Sequence, residues 1–244
     1  MSKCVVVTGA SRGIGRQIAL DFALSGYKVI ANYNKSEKEA EDLKNEIISK
    51  GGICEIFRAD VSKENEVKAL FEFAVSRFGY VDVLINNAGI SKSGLINTTS
   101  LEEWNEVINT NLTSVFLCSR EAINIMLQKH EGVIINIASV WGVSGASYEG
   151  AYSASKGAII TLTQALAKEN GPSGIRVNAI SPGVIDTDMN KCYSKEEMEE
   201  LIDDIPLGRI GKCRDISKTA LFLAGDDASY ITGQNIIVDG GFLL

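Results

Sequence analysis

Only one histidine, His130, occurs in the 244 residues, and no two of the five cysteines form a Cys-x-x-Cys pair. A zinc site built from imidazole and thiolate ligands therefore has too few donors at workable spacing, so no metal is expected. The cysteines fall at positions 4, 54, 118, 192 and 213, an odd and scattered set that makes no disulfide framework. Four of them read as small apolar core or loop residues. Proline is confined to positions 172, 182 and 206, and no Ser/Gly/Pro-rich linker, low-complexity block or internal repeat interrupts the chain. The expectation is one domain over residues 1–244. Apolar runs stay short: Val133–Ile137 is among the longest, against the roughly 18 residues a membrane helix needs. Basic excess is missing as well. Lys and Arg total 24 against 31 Asp and Glu, a net charge of −7, and the sequence pI is about 4.9. A nucleic-acid backbone finds no complementary surface here, and an acidic protein partner finds no general attraction. The opening MSKCVVVTGAS runs straight into a strand and a glycine turn, which does not read as a signal peptide. A cytoplasmic protein without nucleic-acid or membrane partners is expected.

What is present is ordinary globular composition, 45% hydrophobic and 23% charged. Short β-rich runs alternate with longer amphipathic segments. The strands read as Cys4–Thr8, Lys28–Tyr33, Ile53–Ala59, Val83–Asn86, Val133–Ala138, Arg176–Ser181 and Asn235–Val238. They are continuous apolar runs rather than alternating ones, so both faces should be buried. Between them, residues 36–50 place Ala40, Leu43, Ile47 and Ile48 on one helical stripe, and residues 63–78 do the same with Val67, Leu70, Phe71 and Ala74. This alternation predicts a single Rossmann-type, doubly wound α/β domain: a parallel sheet of about seven strands with helices on both faces. Ligands then belong at the carboxyl ends of the strands.

The first strand ends in Thr8-Gly9-Ala10-Ser11-Arg12-Gly13-Ile14-Gly15 and leads into a helix. The spacing is GxxxGxG rather than GxGxxG, yet the physics is shared. Glycines allow a tight turn, let the backbone approach a pyrophosphate, and let helix and strand pack closely. No Gly-Lys-Ser/Thr follows, which excludes a Walker A loop. An acid ending the second strand would bind the 2′-hydroxyl of NAD. Here that region reads Ala31-Asn32-Tyr33-Asn34-Lys35-Ser36, with no acid before Glu37. Arg12 sits where a 2′-phosphate could lie, and Asn34, Lys35 and Ser36 could add contacts, so NADP(H) is favoured. The bland reading of Arg12 is a solvated loop charge.

Downstream, Ser139 ends the fifth strand and Tyr152-Ser-Ala-Ser-Lys156 follows. Tyr152 and Lys156 are four apart and share one face of a helix. A free tyrosine, with a pKa near 10, is a poor acid at neutral pH, and a neighbouring ammonium should lower that value.

Taken together, these motifs resemble the short-chain dehydrogenase/reductase family, and the resemblance runs from residue 3 to about 241. It is carried by Thr8-Gly9-x-x-x-Gly13-x-Gly15, Asp60-Val61, Asn86-Asn-Ala-Gly89, Asn111, Ser139, Tyr152/Lys156 and Pro182-Gly183. The resemblance implies that Asp60 and Val61 flank an adenine ring, and that Asn87, Ala88 and Gly89 line the adenosine side. It implies Tyr152 as proton donor, Ser139 as the group polarising a carbonyl, and Lys156 as ribose ligand and pKa modifier. Asn111 would kink its helix and hold a water relaying protons to Lys156. Pro182, Gly183, Ile185 and Thr187 would meet the nicotinamide end. A homotetramer is also implied.

Within the family, the chain looks most like β-ketoacyl-acyl-carrier-protein reductases, which implies a carbonyl substrate presented on acyl carrier protein. Three departures bear on that. Gly145-Ala-Ser-Tyr-Glu-Gly-Ala-Tyr152 stands where the subgroup usually reads Gly-Asn-Pro-Gly-Gln-Ala-Asn-Tyr. At the positions of basic carrier-docking residues stand His130, followed by Glu131, and Ser173. The stretches Trp141–Ser147 and Pro182–Asn190 also resemble reductases of a 5-aminopentanone modification on elongation factor P, the alternative substrate reading. A non-catalytic dinucleotide-sensing module is the alternative of a different class. A serine hydrolase is excluded because Gly142-Val-Ser-Gly-Ala146 lacks the last glycine of a nucleophile elbow and His130 precedes it. His130 itself should end a helix. Substrate choice should lie in residues 91–96, 140–150 and 187–205, read as loops and a helical lid.

Overall fold

The apolar runs become seven parallel strands, the inner five buried on nearly all positions beneath amphipathic helices. The edge strands Ile53–Arg58 and Asn235–Val238 stay partly exposed, against the expectation of two buried faces, because each has a neighbour on one side only. A computed structural model describes residues 2–188 and 194–244. The strands are β1 (Cys4–Val7), β2 (Lys28–Tyr33), β3 (Ile53–Arg58), β4 (Val83–Asn86), β5 (Gly132–Ile137), β6 (Ile175–Pro182) and β7 (Asn235–Val238). Their order is β3-β2-β1-β4-β5-β6-β7. The chain winds outward from β1 through β2 to β3, then returns to β4 on the other side of β1. That reversal opens a crevice at the carboxyl ends of β1 and β4.

Alternate side chains of each strand feed opposite layers. Val5, Val7, Val29, Ile85 and Ile135 pack against α1 (Gly13–Leu24), α2 (Glu37–Ser49) and, near the end of the chain, the helix Cys213–Ala224. Cys4, Val6, Ile30, Leu84 and Ile134 pack against α3 (Glu64–Phe78) and residues of 114–126 and 150–170. In α3, Val67, Leu70, Phe71 and Ala74 are all buried, as the stripe predicts. In α2 the stripe is narrower than expected. Ala40, Leu43 and Ile47 are buried, but Ile48 is 51% exposed. It lies one residue, a 100° turn, beyond Ile47.

The remaining helices are α4 (Leu101–Ile108), α5 (Ser114–Met126), α6 (Trp141–Ser144), α7 (Gly150–Asn170), α8 (Lys195–Asp203) and α9 (Cys213–Ala224). Residues 109–113 form a π-helical turn joining α4 to α5. His130 does not end a helix. It lies exposed beyond α5 with φ of 53°, where the carbonyl of His130 would meet a Cβ on Gly174 at 2.3 Å. Cys4, Cys54 and Cys118 are buried, and Cys213 is half-buried. Cys192, Met189 and the rest of 189–193 in the expected lid lie outside the described residues. No described helix is long and apolar enough to cross a membrane.

Candidate active site

The glycine turn connects β1 to α1 in the crevice left by the sheet reversal. It has no room for side chains. A Cβ on Gly9 (φ 62°) would lie 2.9 Å from Ala88 Cα, and one on Gly15 would lie 2.4 Å from the Gly9 carbonyl. Thr8 and Asn87 fix this packing. The Asn87 and Ala88 amides donate to Thr8 Oγ1 at 2.9 and 3.1 Å, and Asn87 Nδ2 donates to the Thr8 and Gly9 carbonyls. Asn87 thus ties the β4 loop to the glycine turn. Asn32, buried in β2, accepts the Gly9 amide and donates to the Ala59 carbonyl.

Past the turn, α1 begins at Gly13 with no side-chain cap at Arg12 and no acid in its first turn. Its first N–H groups therefore remain for an anion. Gly13 (φ 55°) opens the space above them, and Thr187, reaching across from the segment after β6, bounds it 3.5 Å from where a Cβ would stand. These residues fit a dinucleotide pyrophosphate. Arg12, Asn34 and Lys35 are exposed beside this end, while Ser11, Ile14 and Ser36 are half-buried. Arg58, not singled out in the sequence, donates to the Asn34 carbonyl at 3.2 Å and adds a cation there. Asp60 accepts from the amide and hydroxyl of Ser62, and Val61 is buried beside it. On the other flank, Pro182 ends β6, Ile185 is buried, and a Cβ on Gly183 would meet Asp239 at 2.7 Å.

Farther along the crevice, Tyr152 and Lys156 lie one turn apart on α7, and both are buried. Ser139, at the end of β5, hydrogen-bonds the Tyr152 hydroxyl and accepts the Trp141 amide at 3.1 Å. Lys156 Nζ donates to the Ile137 carbonyl at 2.8 Å and stands 5.6 Å from the centre of the Tyr152 ring. Electrostatics departs from the expected direction. Burial, helped by Glu149, pushes the Tyr152 hydroxyl up to about 12 despite the Ser139 hydrogen bond, and burial lowers Lys156 to about 8. Desolvation outweighs the lysine here because its ammonium is turned to a carbonyl rather than to the phenol oxygen.

Asn111 lies in the π-helical turn and is fully buried. Its Oδ1 accepts the Ile90 amide at 2.8 Å, and its Nδ2 donates to the Ile90 carbonyl and to Ser155 Oγ. A Cβ on Gly89 would lie 3.3 Å from Asn111 Oδ1 and 3.5 Å from Lys156 Nζ, so both groups border one glycine. Motif reading quotes Thr8 without a role for its hydroxyl and gives Ser155 none. Polar residues inside otherwise apolar strands, Asn32 and Asn136, were the available signal for such anchors.

A family model described as enoyl-(acyl carrier protein) reductase matches residues 9–243. The chain belongs to the short-chain dehydrogenase/reductase family. It is accordingly an oxidoreductase of C=O and CH–OH groups, a family that uses a nicotinamide cofactor. Two similar relatives are 3-oxoacyl-[acyl-carrier-protein] reductases FabG. That of Staphylococcus aureus (strain Mu50) is 46% identical over 244 residues, covering 100% of this chain and 99% of the relative. That of Staphylococcus epidermidis is 45% identical over 244 residues, covering 100% of both.

Proposed function

We propose that the protein reduces 3-oxoacyl thioesters carried on acyl carrier protein, using NADPH, as one functional domain. The observation that carries this reading is the buried Tyr152–Ser139–Lys156 group beside a glycine turn shaped for a pyrophosphate. The names of relatives matching along the whole chain supply the substrate class.

When bound, the nicotinamide cofactor supplies hydride to the carbonyl carbon. The chain supplies the rest. With its hydroxyl pushed up to about 12, Tyr152 holds its proton at neutral pH and can give it to a carbonyl oxygen. Ser139 holds that hydroxyl in place and offers a second hydrogen bond to the same oxygen. As the proton leaves, negative charge grows on the phenol oxygen. Lys156, still mostly charged at pH 7 with a pKa of about 8, stabilises it. Gly9, Gly13 and Gly15 would hold the pyrophosphate with the first turn of α1. Arg12, with Lys35, Ser36 and Asn34, would hold a 2′-phosphate. Asp60, Val61 and the 87–89 loop would line the adenosine, and Gly183, Ile185 and Thr187 the nicotinamide end. Asn111 would anchor Ile90 and Ser155 around Lys156.

The test compares kcat/KM for NADPH oxidation with acetoacetyl groups on acyl carrier protein, on coenzyme A, and as a simple methyl ketone. The carrier-bound thioester is expected to be fastest. A simple ketone equal to it would overturn the substrate reading. Cofactor choice is tested separately. A guanidinium–phosphate contact at a partly exposed site contributes about 1.5–3 kcal/mol, tenfold or more in affinity. Arg12→Ala is therefore expected to cut the NADPH-over-NADH ratio of kcat/KM by about tenfold. An unchanged ratio would remove Arg12 from the 2′-phosphate site.

A further inference from the structure

Three residues before Tyr152, at the start of α7, stands Glu149, where the usual pattern of the subgroup has glutamine. Its carboxylate accepts hydrogen bonds from Ser91 Oγ and from Ser93 Oγ, the latter at 2.9 Å. Tyr148 and Gly94 tie the same two segments together, the Gly94 amide donating to the Tyr148 carbonyl at 2.7 Å. Tyr148 adopts φ of 63°, a left-handed backbone that costs a bulky residue energy. The clamp is thus held against strain. The nearest cation of the loop is turned away: Lys92 Nζ pairs with Glu106 at 2.5 Å. Among the described residues the carboxylate of Glu149 is met by neutral serine hydroxyls and by no cation.

Glu149 caps the N-terminal end of α7 with a backbone not yet helical (φ −121°, ψ 32°), bridges to Gly94, and precedes by three positions the first turn that carries Tyr152. The Glu149 charge therefore stands close to where the carbonyl would meet Tyr152, and its influence on the Tyr152 hydroxyl has the sign expected of a nearby anion. We propose that Glu149 is a specificity-determining residue whose fixed charge, positioned by Ser91 and Ser93, turns away substrates carrying a carboxylate next to the reacting carbonyl. On this reading, which rests on the carbonyl-reductase function above, free 3-oxo acids are rejected and their neutral esters and thioesters accepted. Like charges brought into one partly wet cleft repel enough to change relative affinity by about three- to tenfold.

The test uses acetoacetate and its methyl ester with the NADPH-loaded enzyme, wild type and Glu149→Gln. The two compounds differ in intrinsic reactivity, but that difference is the same for both proteins and cancels in the ratio of ratios. The ester-over-acid ratio of kcat/KM is expected to fall about three- to tenfold in Glu149→Gln, whatever the absolute rates. Calorimetry of 3-hydroxybutyrate and its methyl ester with the NADPH-loaded proteins, where neither can react, should give the same change in binding. Ratios equal in the two proteins by both methods would overturn the proposal. Charge-dependent binding without reduction of the ester would support Glu149's role and sink the reductase reading instead.

Discussion

Tyr152→Phe is expected to lower kcat for thioester reduction by about 10²–10⁴, the usual worth of a positioned general acid. The ring is buried and its packing survives the change, so folding and NADPH binding should persist. What disappears is the hydroxyl that Ser139 holds. The purified variant should retain wild-type NADPH affinity in a fluorescence titration while its single-turnover rate collapses. A variant that keeps most of its kcat would leave the tyrosine as packing and the donor elsewhere.

Lys156→Ala should be at least as damaging, because on the proposed mechanism it removes both the charge that stabilises the phenolate and the group that the family resemblance assigns to a ribose hydroxyl. Here kcat is expected to fall by 10² or more and the Kd for NADPH to rise as well. Tyr152→Phe/Lys156→Ala should be little worse than the more damaged single variant, since both act on one proton transfer. Additive losses would show independent roles. Stability carries a separate signature. Lys156 has its pKa lowered from 10.5 to about 8 by burial, so folding favours its neutral form. That contribution is present above pH 10.5 and is lost as pH falls through 8. Lys156→Ala removes it, so the wild-type Tm should rise relative to that of the variant as pH goes from 8 to 10.5, and a constant difference would contradict this.

The strands were legible because a sheet covered on both faces demands unbroken apolar runs, and Val5, Ile30, Leu84 and Ile134 meet that demand. Motif spacing also marked the residues that the fold gathers around the crevice. Other features could not be read from local pattern. The π-helical turn at 109–113 depends on Asn111 reaching Ile90 and Ser155. The four-residue α6 is too short to show a period. The Tyr152 shift was misjudged because sequence gives the four-residue spacing of the lysine but neither its burial nor the direction in which its ammonium points. Asn136 bridges β4 and α7, accepting from Asn86 Nδ2 at 2.8 Å and donating to Thr163 Oγ1 at 2.9 Å. Its place inside an apolar strand marks it as an anchor, but only the fold names its partners.

The most direct test of the central claim is the fate of deuterium from the 4-position of NADPH, with acetoacetyl-acyl carrier protein as substrate. Mass spectrometry of the released product should show 3-hydroxybutyryl thioester carrying one deuterium at C3 when the transferred face is labelled, formed in step with NADPH oxidation. Intact acetoacetyl thioester, or a product without deuterium at C3 from either labelled face, would contradict it.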